Sequence, residues 1–312
     1  MRLYYTDHFV LPLPPGHRFP MEKYARLRMR LLEGGLFGAD DFRVPEAASD
    51  AEILRAHDAG YLQRMVEGAL DAAEVRRIGF PWSAAMVERS RRSAGATLAA
   101  CRSALEPDQG CAVNLAGGTH HAHRDFGSGF CVFNDGAIAA LAMRAEGRAR
   151  RIAIIDCDVH QGDGSASILA GEPDIFTCSL HGARNFPFRK QTSDLDIELA
   201  DDTGDEAYLR ALEGALGRVF DGFRPDLVIY LAGADPYAGD RLGRLALSMD
   251  GLAARDALVL STCRDAAVPV AIAMAGGYAH AIEDTVHIHY TTIASAARLF
   301  RASGGTRPAC DA

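Results

Sequence analysis

Lysine is almost absent. Of 33 basic residues only Lys23 and Lys190 are lysines, set against 41 acidic residues for a formal charge of −8. A basic footprint that could track nucleic-acid phosphates is therefore excluded. An acidic balance instead favours a cationic peptide electrostatically over an anionic one. No CxxC pair occurs, and the seven cysteines are odd in number. Cys111, Cys131, Cys157 and Cys178 fall in apolar, strand-like runs, where free cysteine behaves as a small hydrophobe, so a reducing cytoplasm is expected. No apolar run approaches the ~18 residues of a membrane-spanning helix. The opening MRLYYTDHF lacks the charged-then-apolar build of a signal peptide. A soluble, cytoplasmic protein with neither a membrane nor a nucleic-acid partner is expected.

What the chain does contain is alternation. Arg2–Tyr5 reads as a short strand, Met21–Glu33 as an amphipathic helix stopped by Gly34-Gly35, and Ser83–Leu105 as a long helix, with shorter helical pieces between Asp50 and Leu70. CAVN (111–114), Arg151–Asp156, IFTCSL (175–180), LVIYLAG (227–233) and PVAIAMAGG (269–277) read as buried strands. Helices are expected from Asn134, which can cap, to about Gly147, near Ser165–Ala170, and over Asp205–Phe220, Leu252–Cys263 and His280–Phe300. This pattern predicts an α/β fold with a central, mostly parallel sheet and helices on both faces. With no repeat, low-complexity segment or linker, one domain over residues 1–312 is expected, with about 302–312 a flexible tail.

The most informative stretch is IIDCDVHQGDG, from Ile154 to Gly164. Its apolar start is a buried parallel strand, and polar chemistry begins where the strand stops, which is where open α/β sheets place their ligands. Asp156, Asp158 and His160 are spaced by two and point the same way in extended chain. Asp163 follows in a glycine-flanked turn. Three carboxylates and an imidazole this close repel and desolvate badly unless a cation compensates them, so a divalent metal is expected. Three other loops also follow apolar strands: GGTHHAH with His120 and His121, LAGADPYAGD with Asp235, and AGGYAH with Tyr278.

In this order and spacing, the HH, DxDxHxGDG, GAD and GGY blocks closely resemble the zinc-dependent histone deacetylase family of the arginase–deacetylase fold. The resemblance covers nearly the whole chain and includes HDAGYL, SGFCVFND, SLH and GDRLGRLALS. The compact length and the HRFPMEKY loop look most like the class IV branch of bacterial deacetylase-like amidohydrolases. Residue by residue, the resemblance implies Asp158, His160 and Asp235 as metal ligands, a set that suits a catalytic zinc and also tolerates iron(II). It implies His121 as general base and acid and His120 as an electrostatic and hydrogen-bonding partner of the metal-bound water. Asp156 and Asp163 would fix the tautomers of His120 and His121 respectively, and Tyr278 would donate to the oxyanion. For the substrate tunnel it implies Gly129 and Phe130 as one wall and either Phe186 or Phe188 of ARNFPF as the other. Leu242 would line it, and Lys23 falls near its floor. A potassium ion would be bound by main-chain oxygens of Asp156, His160, Ser179 and Leu180 and by the Asp158 side chain.

The activity implied is metal-dependent hydrolysis of an acyl-amide, with an acylated lysine peptide or protein as partner, or a small acylated amine such as an acetylpolyamine. A manganese ureohydrolase would need a second ligand set, and a non-catalytic acyl-lysine binder should have lost a ligand or the tyrosine. Neither condition is met. Other polar residues have plainer readings. His287 and His289 face apart on a helix, His123 and His280 match no family role, and Asp196, Glu198, Asp201, Asp202 and Asp205 are expected in a solvated acidic loop and helix entry.

Overall fold

A computed structural model describes residues 1–301. The expected 302–312 tail lies outside the described residues. Among the described residues there are eight strands: β1 Arg2–Tyr4, β2 Phe42–Arg43, β3 Cys111–Asn114, β4 Ile152–Asp156, β5 Ile175–Gly182, β6 Leu195–Leu199, β7 Leu227–Leu231 and β8 Val270–Ala273. They form one sheet in the order β2-β1-β3-β8-β7-β4-β5-β6, and every pairing is parallel. The α/β expectation holds.

The four central strands are apolar on both faces, as a sheet covered on both sides requires. β4 and β7 are buried along their whole length. One core cluster gathers Ile155, Tyr230, Ile272 and the helix over Met249–Asp265. The other gathers Ile154, Ile229, Ala273 and the helices over Ala84–Ala104 and Asp135–Ala145. Each buried isoleucine or valine contributes roughly 1.5–3 kcal/mol. Register is what positions the site. Asn114 pairs with Ala273, Ala273 with Leu231, and Leu231 with Asp156, so β3, β8, β7 and β4 stop at one level. Four loops leave that edge side by side.

Two strands differ from the sequence reading. β6 occupies a segment expected to be loop, so Asp196 and Glu198 sit in a strand, and Asp196 accepts hydrogen bonds from Gln161 Nε2 and Ser193 N, both at 2.8 Å. An edge strand exposed on one face keeps only Leu195 and Leu199 fully buried, too little apolar signal to read. β2, at two residues, is shorter than any pattern. The six described cysteines are all buried and unpaired, and no described helix is long and apolar enough to cross a membrane.

Candidate active site

Loop geometry at the carboxyl edge is set by buried polar groups. Asp135, the first residue of its helix, accepts hydrogen bonds from Gly118 N at 3.0 Å, Thr119 N at 2.7 Å and Thr119 Oγ1 at 2.6 Å, clamping the turn that precedes His120. Asn134 caps the helix through Ala137 N at 2.9 Å and donates to the carbonyls of His120 and Ala122 at 3.3 and 3.1 Å. Close approach makes two glycines obligatory. A Cβ on Gly118, at φ +72°, would fall 2.4 Å from Ala275 Cβ, and one on Gly276 would fall 2.0 Å from Asp235 Oδ2.

Asp158, His160 and Asp235 converge, each buried, with one donor atom apiece within 4.8 Å of the others. His160 Nδ1 lies 2.9 Å from Asp158 Oδ1 and 3.3 Å from Asp235 Oδ2. Asp235 is pushed up to about 7 by burial and by the charge of Asp158. Its Oδ2 is buried and accepts no well-directed hydrogen bond. Two adjacent buried carboxylates with an orphaned oxygen and an imidazole fit a divalent cation, which would relieve both the repulsion and the missing partner.

The two histidines stand beside this cluster. His120 Nδ1 and Asp156 Oδ2 are 2.6 Å apart, as are His121 Nδ1 and Asp163 Oδ1. Burial opposes charge on His120, but Asp156 and Asp158 outweigh it and push its pKa up to about 9. His121 is drawn down to about 4 by burial and by the neighbouring His120, against the pull of Asp163. Asp163 also receives His123 Nε2 at 3.1 Å. Burial works against its charge, yet the two imidazoles hold it well below the usual carboxylate range. Burial likewise holds the Tyr278 phenol well above its ordinary value. The Tyr278 backbone N–H is fixed by Asp240 Oδ2 at 2.6 Å.

A cavity of about 570 Å³ opens on these groups, with His120, His121, Asp158, His160, Asp235 and Tyr278 in its lining. Gly129, Phe130 and Leu242 also line it. Phe130 holds φ 66°, an uncommon backbone for an aromatic residue. It is kept there by its N–H on Ile78 O at 2.7 Å and by ring packing against Phe80 at 5.3 Å and Phe19 at 5.5 Å. Phe186 stands edge-on to His121 at 4.9 Å, whereas Phe188 is 88% exposed at the outer end of the cavity. Of the two candidates, Phe186 is the wall next to the histidines.

Lys23, expected near the tunnel floor, is buried and is not itself among the described lining residues; its Nζ donates to the carbonyl of Ala275, which does line the cavity, and to that of Gly277, both at 3.3 Å. Unsatisfied carbonyls in a glycine turn are better partners for a buried ammonium than an apolar tunnel floor. Lys23 braces the Tyr278 loop from behind. For the expected potassium site, Ser179 pairs with Asp156 across β5 and β4, and Ser179 Oγ lies 2.9 Å from His181 Nδ1. His287 and His289 do face apart. His287 Nδ1 meets Arg30 at 2.7 Å, while His289 is buried with neither ring nitrogen bonded.

Sequence reasoning missed Arg255. Fully buried, it donates from Nη1 to Gly233 O at 2.6 Å and Cys157 O at 3.3 Å, and pairs with Asp256 at 2.8 Å. It thereby ties together the two loops that carry Asp158 and Asp235. A signal existed: Leu252, Arg255, Asp256, Val259, Leu260 and Cys263 form one helical stripe, so the charged pair lies on the buried face.

A family model described as a histone deacetylase domain matches residues 17–293. The chain belongs to the histone deacetylase family of hydrolases. It is 45% identical over 285 residues to an uncharacterized protein of Picosynechococcus sp., covering 91% of this chain and 94% of that one. It is 32% identical to the histone deacetylase-like amidohydrolase of Pseudomonas aeruginosa, covering 86% and 74%. The solved histone deacetylase homologue of Aquifex aeolicus superposes with a TM-score of 0.81 at 23% identity, over 95% of this chain and 83% of that one.

Proposed function

We propose that this chain, as a single catalytic domain of the cytoplasm, hydrolyses the side-chain amide of an N-ε-acyl-lysine. The observation that carries this reading is the pair of carboxylate-held histidines opening on the same cavity as the Asp158–His160–Asp235 cluster. Those three residues would hold a zinc or iron(II) ion, which supplies a polarised amide carbonyl and an acidified water. His121, neutral and with Nδ1–H committed to Asp163, offers Nε2 to take the water's proton and return it to the leaving amine. His120, held by Asp156, places positive charge and a hydrogen bond beside the same water. Tyr278 stays protonated and donates to the oxyanion as it develops.

Phe130, Phe186, Leu242 and the Gly129 backbone would grip the lysine methylenes, each worth about 0.8 kcal/mol when buried. The lining also includes Tyr24, Gly117, Gly118 and Ala275, against which acyl groups longer than acetyl would pack. A potassium ion under Asp156, Asp158, His160, Ser179 and Leu180 would hold the ligand loop in shape. The test is a panel of lysine peptides carrying acetyl to myristoyl groups, given to the zinc- or iron-loaded chain and read by mass spectrometry. Free lysine peptide should appear, with efficiency rising beyond acetyl. Intact peptides throughout would remove the reading, and strict acetyl preference would remove its extension to longer chains.

A further inference from the structure

The cavity entrance reverses the charge of the molecule. Arg18, Arg77, Arg184 and Arg244 all line it, brought together from four separate segments of a chain with net charge −8, and all four are exposed. Among the described residues the only carboxylates in the lining are Asp158 and Asp235, both buried at the cavity's inner end. Arg184 and Arg244 share one carboxylate, that of Asp201, at 3.3 and 2.8 Å. Arg18 and Arg77 have no carboxylate within ion-pair distance among the described residues. The Arg77 guanidinium lies over the Phe126 ring at 4.6 Å, which keeps its charge at the rim rather than neutralising it. Positive charge around a low-dielectric cleft focuses the field on whatever enters.

We infer that the substrate carries carboxylates beside its scissile amide: an acyl-lysine with acidic neighbours rather than an acylated polyamine. This rests on the acyl-lysine reading of the cavity and reverses the expectation drawn from overall charge. Guanidinium forks match carboxylates in geometry as well as sign, whereas a polyamine would bring its ammonium groups against unpaired arginines. The carboxylate could belong to flanking Asp or Glu side chains of a peptide or to the α-carboxylate of free N-ε-acyl-lysine.

The experiment uses the zinc-loaded full chain and peptides with one acyl group, flanked by Asp and Glu, by Ser and Gly, or by Lys and Arg, together with free N-ε-acyl-lysine and acetylspermidine. Both kcat/KM and Kd, the latter by calorimetry, are measured at low and high salt. The acidic peptide should exceed the basic one about tenfold at low salt. The gap should close near 1 M salt, where the Debye length is about 3 Å. Arg18→Glu combined with Arg77→Glu should invert the order, and because the readout is a ratio, the fraction of active protein cancels. Free acyl-lysine matching the acidic peptide would make the α-carboxylate the recognised group; a much poorer response would assign recognition to the side chains. Equal treatment of the peptides, preference for the basic one or for acetylspermidine, or an order unchanged in the variant would overturn the inference. If no peptide is hydrolysed, the proposed function fails, while the Kd ratio still decides the charge preference.

Discussion

His120 and His121 are adjacent in the chain, buried alike, and each holds a carboxylate 2.6 Å from Nδ1, yet they stand on opposite sides of neutrality, at about 9 and about 4. The difference lies in the second neighbour. His120 Nε2 is 3.9 Å from Asp158 and feels two carboxylates, whereas His121 shares its only one with His123 and stands beside a charged His120. One geometry thus yields a fixed positive charge and a vacant base. Identical hydrogen bonds do not make identical acids.

The largest expected effect is that of His121→Ala. In the proposed mechanism both proton transfers depend on it, so kcat should fall at least 10²–10⁴-fold, roughly the worth of a positioned acid–base group, with KM little changed. His120→Ala should cost less in the same assay; the reverse order would break the division of roles. Tyr278→Phe should follow, at about 10²–10³-fold in kcat, the typical cost of one oxyanion donor. Unchanged turnover would make the tyrosine merely part of the packing. Smaller again is Asp163→Asn, which keeps the shape of the partner but not its charge. A loss of about 10–100-fold is expected, measured by single-turnover hydrolysis.

The last effect concerns stability rather than rate. Burial draws His57 from 6.5 down to about 4, and Asn134 N donates to its Nε2 at 2.9 Å, which requires a neutral ring. The unfolded chain takes up a proton near 6.5 and the folded one only near 4. This contribution is therefore complete above pH 6.5 and is lost as pH falls through 4, amounting to roughly 3 kcal/mol at most. Urea unfolding between pH 7.5 and 4.5 should show the loss, and His57→Gln should make the slope shallower by one proton. An unchanged slope would show that His57 does not titrate with folding.

The readable parts of the sequence were those where structure and chemistry share one short segment. Buried parallel strands are unbroken apolar runs, so the polar residues that end them stand out, and Asp158, His160, Asp235, both histidines and Tyr278 were visible as a set. Their carboxylate partners came with them because Asp156 and Asp163 flank the same turn. What depended on side chains meeting across the fold was not readable. Phe186 and Phe188 are equivalent on paper, and only the turn of their loop sends one to His121 and the other to solvent. Lys23 finds backbone carbonyls that no motif announces. The arginine rim belongs to four segments, and the net charge pointed the other way.

Metal content measured beside activity tests the central claim most directly. Elemental analysis of the purified chain, with peptide deacylation followed on the same samples, should find one divalent ion per chain. Asp235→Ala should lose both the ion and the activity while keeping its circular dichroism spectrum. Full activity in a metal-free preparation, or an intact metal complement in the variant, would contradict the account.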